Sequence, residues 1–392
     1  MTAPGHVLVV GASAAGLATA ETLRRKGHTG RLTVLGAEPH LPYDRPPLSK
    51  QVLSGAWEPA RARLRPPAHL STLEVEFVLG DPAVGLDVTA RAVATASGRV
   101  VAADAVVLAT GLRPRTLPGQ ETLAGVHVLR TLDDSLALRA DLLARPRVVV
   151  VGDGVLGAEI AATARTMGCA VTMAGPQPAP LALQLGPFAA DLLAGLHTAN
   201  GVELRLGAAV TGLAGERGTV TGVRIETGDV LPADVVVVAF GAVPATEWLA
   251  DSGLTCDNGV VCDSRCRAAD GVYAAGDVAR WHHEGLDTSL RLENRTNATE
   301  QAVRVADNVL GADRPYTPVP YFWTDQFDVK LHVHGTTAPD ADVVDGDPSA
   351  GRFVLTYRRD GVVTGVLGWN MPKQARLRRQ EFLGTALVGG KP

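Results

Sequence analysis

From His6 the chain runs Val7-Leu8-Val9-Val10 without a polar side chain, the pattern of a parallel strand buried on both faces. Six small residues follow, Gly11-Ala12-Ser13-Ala14-Ala15-Gly16. Residues 17–26, dominated by Ala, Leu, Glu and Arg, predict a helix that Gly27 ends. Residues 32–35 predict a second strand, which completes a βαβ unit. The pattern recurs farther on. Residues 147–151 predict a strand, Gly152-Asp153-Gly154-Val155-Leu156-Gly157 a loop, residues 158–167 a helix and residues 170–174 another strand. Two such units, about 140 residues apart, imply two nucleotide-binding domains or a duplicated one. A later strand with a similar ending follows each unit: residues 105–108 with Ala109-Thr110-Gly111, and residues 235–240 with Gly241. From about Tyr321, strand-like pieces at 329–334, 352–357 and 362–369 predict an antiparallel sheet in a smaller third domain. Residues 337–350, rich in Asp, Pro and Gly, predict an exposed loop.

The two glycine loops carry the first chemistry. The first glycine permits a tight turn, the second lets the backbone approach a pyrophosphate, and the third allows close helix–strand packing. The helix start then offers amides and a partial positive charge to phosphates. Both loops lie between a strand and a helix, which is the context the motif requires. Ser13 stands at the second glycine of the first loop, and its small side chain still allows close approach. Glu38, just past the second strand, can accept both hydroxyls of a ribose. The second loop has all three glycines, Gly152, Gly154 and Gly157. Its strand ends in Ala174-Gly175-Pro176, with neither a carboxylate for a ribose nor an Arg for a 2′-phosphate. The choice between NADH and NADPH is therefore not legible there.

Composition narrows the class. Apolar residues make up 46% and charged residues 20% of the 392, an ordinary globular balance. The net charge of -4 gives no reason to expect nucleic-acid binding. No apolar run is long enough for a membrane span. The run at residues 6–10 is too short for a secretory signal. The expectation is a cytoplasmic enzyme. Cys169, Cys256, Cys262 and Cys266 form no CxxC pair and no Cys/His cluster with zinc spacing, so no metal is expected.

Two further strings stand out. Pro42-Tyr43-Asp44-Arg45-Pro46-Pro47-Leu48-Ser49-Lys50 predicts an extended loop entering a short helix, and it carries two cations near the first nucleotide site. Val272-Tyr273-Ala274-Ala275-Gly276-Asp277 predicts a strand whose terminal Asp either binds a polyol or caps a turn.

Taken together, these strings resemble the FAD-dependent ferredoxin reductases of the oxygenase-coupled type, the putidaredoxin reductase and biphenyl dioxygenase reductase group. Gly241-Ala242-Val243-Pro244 and Tyr321-Phe322-Trp323-Thr324-Asp325-Gln326 add to the likeness, which covers nearly the whole chain. The resemblance implies a glutathione reductase-like α/β fold. Residues 1–112 and 242–318 would bind FAD, residues 113–241 would bind NAD(P), and residues 319–392 would form a small α+β domain. Gly11, Ser13, Ala14, Ala15 and Gly16 would hold the FAD pyrophosphate, with Glu38 on its adenosine ribose and Asp277 on the ribitol. Arg45, Lys50 and the Ala109-Thr110-Gly111 turn would line the flavin, and Trp323 its edge. Gly152, Gly154, Val155, Leu156, Gly157 and Gly241 would hold the nicotinamide dinucleotide, NADH slightly favoured. Glu159 would pair with Lys50 and meet the nicotinamide; these two are the candidate catalytic residues.

Two positions depart from the resemblance: Gly175, where relatives usually carry Glu, and Arg295, where they often carry Trp. The partner it implies is a ferredoxin, typically acidic. Arg352, Arg358, Arg359, Lys373, Arg376, Arg378, Arg379 and Lys391 against Asp360 and Glu381 make the last stretch basic, a candidate docking face. A charge run of this kind also describes an ordinary solvated surface. Disulfide reductases of this fold need a cysteine pair at the flavin, and no Cys occurs near Lys50. The remaining alternatives are a self-contained NAD(P)H oxidase or tailoring flavoenzyme, and a flavoprotein whose redox state regulates a partner.

Overall fold

A computed structural model describes residues 4–386, with side chains described to Gln380. The chain divides into two compact units. The first comprises Met1–Asp44, Arg63–Arg113 and Val243–Pro320; the second comprises Arg45–Ala62, Pro114–Ala242 and Tyr321–Pro392.

The first unit is built on a six-stranded sheet. Its order is Arg267–Ala269, Val272–Ala274, Ala105–Leu108, His6–Val10, Arg31–Gly36, Glu76–Leu79. Every neighbouring pair is parallel except Arg267–Ala269 with Val272–Ala274. Val7, Leu8 and Val9 are wholly buried, in one core with Ala18 and Ala302 of the helices and with Leu86, Val93 and Val101 of a small antiparallel sheet, which explains the unbroken apolar run. The helix Ala14–Arg25 follows the first glycine loop, and the helix Arg295–Val309 packs against it. Asn294 caps the latter helix, its side chain accepting from the Asn297 amide at 2.8 Å.

Besides a three-stranded antiparallel sheet (Val210–Glu216, Thr219–Ile225, Val230–Pro232), the second unit holds two larger ones. One is five-stranded and parallel, in the order Val202–Leu206, Ala170–Gly175, Arg147–Val151, Val235–Val238, Val126–His127. The helix Val155–Thr166 follows its glycine loop. The other is antiparallel, in the order Tyr321–Gln326, Val329–Gly335, Val362–Trp369, Arg352–Arg359, Asp340–Asp347. The helix Pro372–Ala386 packs on it.

One expectation fails here. Residues 337–350 are not all loop: Asp340–Asp347 is a strand, paired to Arg352–Arg359 with a register shift between Val343 and Asp345. It is the last strand of its sheet and mostly exposed, so no apolar alternation marks it. Its aspartates serve an edge, where charge discourages pairing with other chains.

Among the described residues, no helix is long and apolar enough to cross a membrane. No group of His, Cys, Asp and Glu among them could hold a metal. All four cysteines are free thiols.

Candidate functional sites

The first glycine loop is shaped for a close ligand. Gly11 has φ +124°, and a Cβ there would lie 2.1 Å from the Ala109 oxygen. A Cβ on Gly16 would lie 1.7 Å from the Gly11 oxygen. Only glycine permits this packing, which brings the start of the helix Ala14–Arg25 down onto the turn. Ser13 is the N-cap residue, extended, with no side-chain cap bond. The amides of Ala14, Ala15 and Gly16 are thus left for a ligand, as a phosphate at a helix start requires. The loop fits the pyrophosphate of a dinucleotide.

Around it stand the other expected residues of this unit. Glu38 lies two residues past the strand Arg31–Gly36 and accepts a hydrogen bond from the Tyr43 hydroxyl. Thr110 donates to the Ala245 oxygen at 2.9 Å, fixing the Ala109-Thr110-Gly111 turn, where Gly111 has φ +70°. Asp277 sits in the short helical turn Gly276–Val278. A Cβ on Gly276 would come within 3.0 Å of the Ala15 side chain, and the Gly276 amide donates to Gln301 at 2.8 Å. The turn bearing Asp277 therefore lies against the same helix start as the phosphate loop. Arg295 is the first residue of its helix and is tied down: its guanidinium donates to Asp44 and Thr299.

The second loop repeats the geometry. Gly152 has φ +131°, and its Cβ would lie 2.3 Å from the Ala239 oxygen; that of Gly157 would lie 2.1 Å from the Gly152 oxygen. Gly154 caps the helix Val155–Thr166 without a side-chain bond, and Val155 and Leu156 form its partly open first turn. Gly241 follows the strand Val235–Val238 with φ +109°.

Glu159 lies one turn further along that helix and is buried. Its Oε2 accepts from Lys50 Nζ at 2.8 Å and Ser49 Oγ at 2.6 Å, and its Oε1 accepts from Thr324 Oγ1 at 2.9 Å. The side chains of Lys50 and Glu159 are only 12% and 7% exposed, so each charge depends on the other. The segment that carries Lys50 is held by backbone acceptors. Ser135 donates to the Leu48 oxygen at 2.8 Å, Thr163 to the Ser49 oxygen at 2.7 Å, and Arg45 to the Arg130 oxygen. Trp323, next to Thr324, stacks on Tyr321 with ring centroids 6.1 Å apart. Tyr321 in turn hydrogen-bonds His332 at 2.7 Å and stacks on His334. Burial, with the charges of Arg379, His332 and Arg376, holds the His334 imidazole down to about 4.

Within each unit, then, the expected residues converge. Reading the strings alone missed Ser49 and Thr324 as partners of Glu159, although both stood inside quoted strings. It also missed Asp153, the one charged side chain in either glycine loop, which accepts from the Gln177 amide at 2.8 Å and from Gln177 Nε2 at 2.7 Å.

The basic stretch is more mixed than the count from Arg352 onward implied. Between residues 321 and 386 eight Lys and Arg meet eight Asp and Glu, because the strand Asp340–Asp347 brings four aspartates. Arg358 is answered by Asp342 at 3.3 Å. Four of the cations, Lys373, Arg376, Arg378 and Arg379, lie together on the helix Pro372–Ala386. Lys391 and the side chain of Glu381 lie outside the described residues.

Comparison with known proteins gives the family. Residues 5–302 match the pyridine nucleotide-disulphide oxidoreductase family, and residues 321–384 match the reductase C-terminal domain. The chain is 35% identical over 377 residues to rhodocoxin reductase of Rhodococcus erythropolis, covering 95% of this chain and 88% of that protein. It is 36% identical over 377 residues to the benzene 1,2-dioxygenase system ferredoxin–NAD(+) reductase subunit of Pseudomonas putida, covering 95% and 91%. Among solved structures it resembles the ferredoxin reductase for the CYP199A2 system from Rhodopseudomonas palustris, with TM-score 0.90, 35% identity and coverage of 93% and 91%. It also resembles the reductase of the covalent putidaredoxin reductase–putidaredoxin complex, with TM-score 0.91, 32% identity and coverage of 97% and 93%. The chain belongs to the pyridine nucleotide-disulphide oxidoreductase family and is an FAD-dependent oxidoreductase that uses a nicotinamide nucleotide.

Proposed function

We propose that this chain is an NAD(P)H-dependent flavoprotein reductase that passes electrons through FAD to a ferredoxin, which serves a cytochrome P450 or a ring-hydroxylating oxygenase. The observation that carries the reading is the buried Lys50–Glu159 pair, braced by Ser49 and Thr324. Disulfide reductases of this fold work through a cysteine pair. Here none of the four cysteines falls in Arg45–Ala62 or in the helix Val155–Thr166. A charge pair stands in place of a thiol pair, and electrons then have to leave for an external carrier. The relatives named as ferredoxin reductases support that choice of carrier.

Bound FAD supplies the chemistry that the side chains lack: it takes two electrons and a proton as hydride from the nicotinamide and gives the electrons up one at a time. The chain's own residues position and polarise. Gly11, Ser13, Ala14, Ala15 and Gly16 present amides to the FAD pyrophosphate, Glu38 accepts from its adenosine ribose, and Asp277 accepts from the ribitol hydroxyls. Gly152, Gly154, Val155, Leu156, Gly157 and Gly241 do the corresponding work for the nicotinamide dinucleotide. Lys50 provides positive charge for the negative charge that reduction develops on the flavin. Glu159 fixes Lys50, and Trp323 shields the flavin edge. The enzyme works in the cytoplasm, where its four free thiols remain reduced. An acidic ferredoxin docks on the helix bearing Lys373, Arg376, Arg378 and Arg379, drawn by charge.

Arg295, anchored by Asp44, favours a second reading, a self-contained NAD(P)H oxidase, because it changes the flavin surroundings relative to proteins with Trp there. Anaerobic titration with NADH and NADPH, followed by addition of ferredoxin and cytochrome c, separates the two. Bleaching followed by ferredoxin-dependent cytochrome c reduction supports the first. Rapid peroxide formation in air without ferredoxin supports the second.

A further inference from the structure

The two βαβ units align position by position. Gly11 N donates to the Leu35 oxygen at 2.8 Å, and Gly152 N donates to the Ala174 oxygen at 2.8 Å. Val10 pairs with Leu35 as Val151 pairs with Ala174. Asp153 therefore stands where the first unit has Ala12, Gly175 where it has Gly36, and Gln177 where it has Glu38. At these aligned positions each unit has one carboxylate, but on different segments. The first carries it past the strand end and has a methyl group in the loop. The second carries it in the loop and has an uncharged amide past the strand end.

Both units keep a glycine at the strand end, but what fills the space beside it differs. A Cβ on Gly36 would lie 2.8 Å from the Ala12 methyl, whereas one on Gly175 would lie 2.3 Å from Asp153 Oδ2. The Asp153 carboxylate thus fills the space in which a side chain at the strand end would begin. Gln177 locks it there. The Gln177 backbone amide and Nε2 each donate to one Asp153 oxygen, while Gln177 Oε1 accepts from the Leu183 amide at 2.8 Å. The orientation of the Gln177 amide is fixed at both ends, and each carboxylate oxygen keeps capacity for another donor.

We infer that Asp153, held by Gln177, is the specificity-determining carboxylate of the second site and makes the chain prefer NADH to NADPH by repelling a 2′-phosphate. The inference rests on the reading of this loop as the nicotinamide dinucleotide site. Adenosine ribose binds beside the end of the second strand of such a unit, where this carboxylate sits. Asp153 is buried, so its charge acts on a neighbour with less screening than a solvated one. The neighbouring strand brings Arg205 opposite Ala174, but that cation is already engaged. The chain has no Lys or Arg between Arg165 and Arg205. Arg165 donates to the Asn200 and Cys169 oxygens at 2.8 and 3.1 Å, and Arg205 pairs with Glu203 at 2.6 Å. Arg115 lies beside Gly241, after Val235–Val238, and that strand flanks Arg147–Val151 on the side opposite Ala170–Gly175.

The test is calorimetric titration of the flavin-loaded full chain with NAD+ and with NADP+, which reads binding without turnover. The wild type is expected to bind NAD+ at least ~30-fold more tightly, since like charges brought together cost several kcal/mol. Asp153→Asn is expected to narrow that gap to within about fivefold, mainly by tightening NADP+. Asp153→Ser serves as the second variant, and flavin content and thermal midpoint report whether either change disturbs the fold. Equal binding of the two nucleotides by the wild type overturns the inference. So does a loss in the variants that is the same for both nucleotides, which is what a purely structural Asp153 would give. Binding of neither nucleotide by the wild type would also remove the nucleotide-site reading beneath it.

Discussion

Glu159 collects three donors on one buried carboxylate, and two of them, Lys50 and Ser49, are adjacent in sequence. Removing one partner of a buried charge pair leaves the other uncompensated, at a cost of about 3–5 kcal/mol. Glu159→Gln keeps the volume and still accepts from Thr324 or Ser49, but it strands the Lys50 ammonium. We expect this variant to keep its flavin and to be reduced by NADH roughly 10–100-fold more slowly, the range for loss of a preorganised electrostatic contact. Stopped-flow absorbance at the flavin band measures it. An unchanged rate would make the pair a structural brace alone. Glu159 and Lys50 were legible in the sequence only through resemblance. Ser49 and Thr324 were not legible as their partners, because the contacts join positions 110 and 165 residues apart. Asp153 was hidden differently: its loop satisfied the glycine pattern, and the pattern says nothing about the residue between the first two glycines.

At the scale of elements, the glycine loops are where sequence and geometry agree most closely, since a missing Cβ is visible in both. The clearances separate the two sites experimentally. Gly16→Ala puts a carbon 1.7 Å from the Gly11 oxygen, and Gly157→Ala puts one 2.1 Å from the Gly152 oxygen. We expect Gly16→Ala to be purified largely without flavin. Gly157→Ala should be yellow yet scarcely bleached by nicotinamide nucleotide. The ratio of flavin to protein absorbance, read before and after nucleotide, decides it, and loss of flavin from both variants would contradict the assignment of the loops. The buried strands were legible because a parallel sheet covered on both faces leaves continuous apolar runs. The strand Asp340–Asp347 was not, since an edge strand needs no apolar face and its composition imitates a loop.

At the scale of the whole molecule, the count of charge was legible but its distribution was not. The aspartates of that edge strand offset much of the basic stretch and leave the helix Pro372–Ala386 as the cationic element. If ferredoxin docks there, reversing Arg376 and Arg379 to Glu should lower the ferredoxin reduction rate severalfold and flatten its decline with ionic strength. Reduction of ferricyanide, a small acceptor, should change little. A double variant with the wild-type salt dependence would move the docking face elsewhere. The central claim is electron passage from nucleotide through flavin to an iron–sulfur protein. Anaerobic addition of NADH to the flavin-loaded chain, with an acidic ferredoxin and cytochrome c then added, tests it most directly. The account predicts bleaching at once and cytochrome c reduction only when ferredoxin is present. No bleaching with NADH or NADPH, or cytochrome c reduction that ignores ferredoxin, would contradict it.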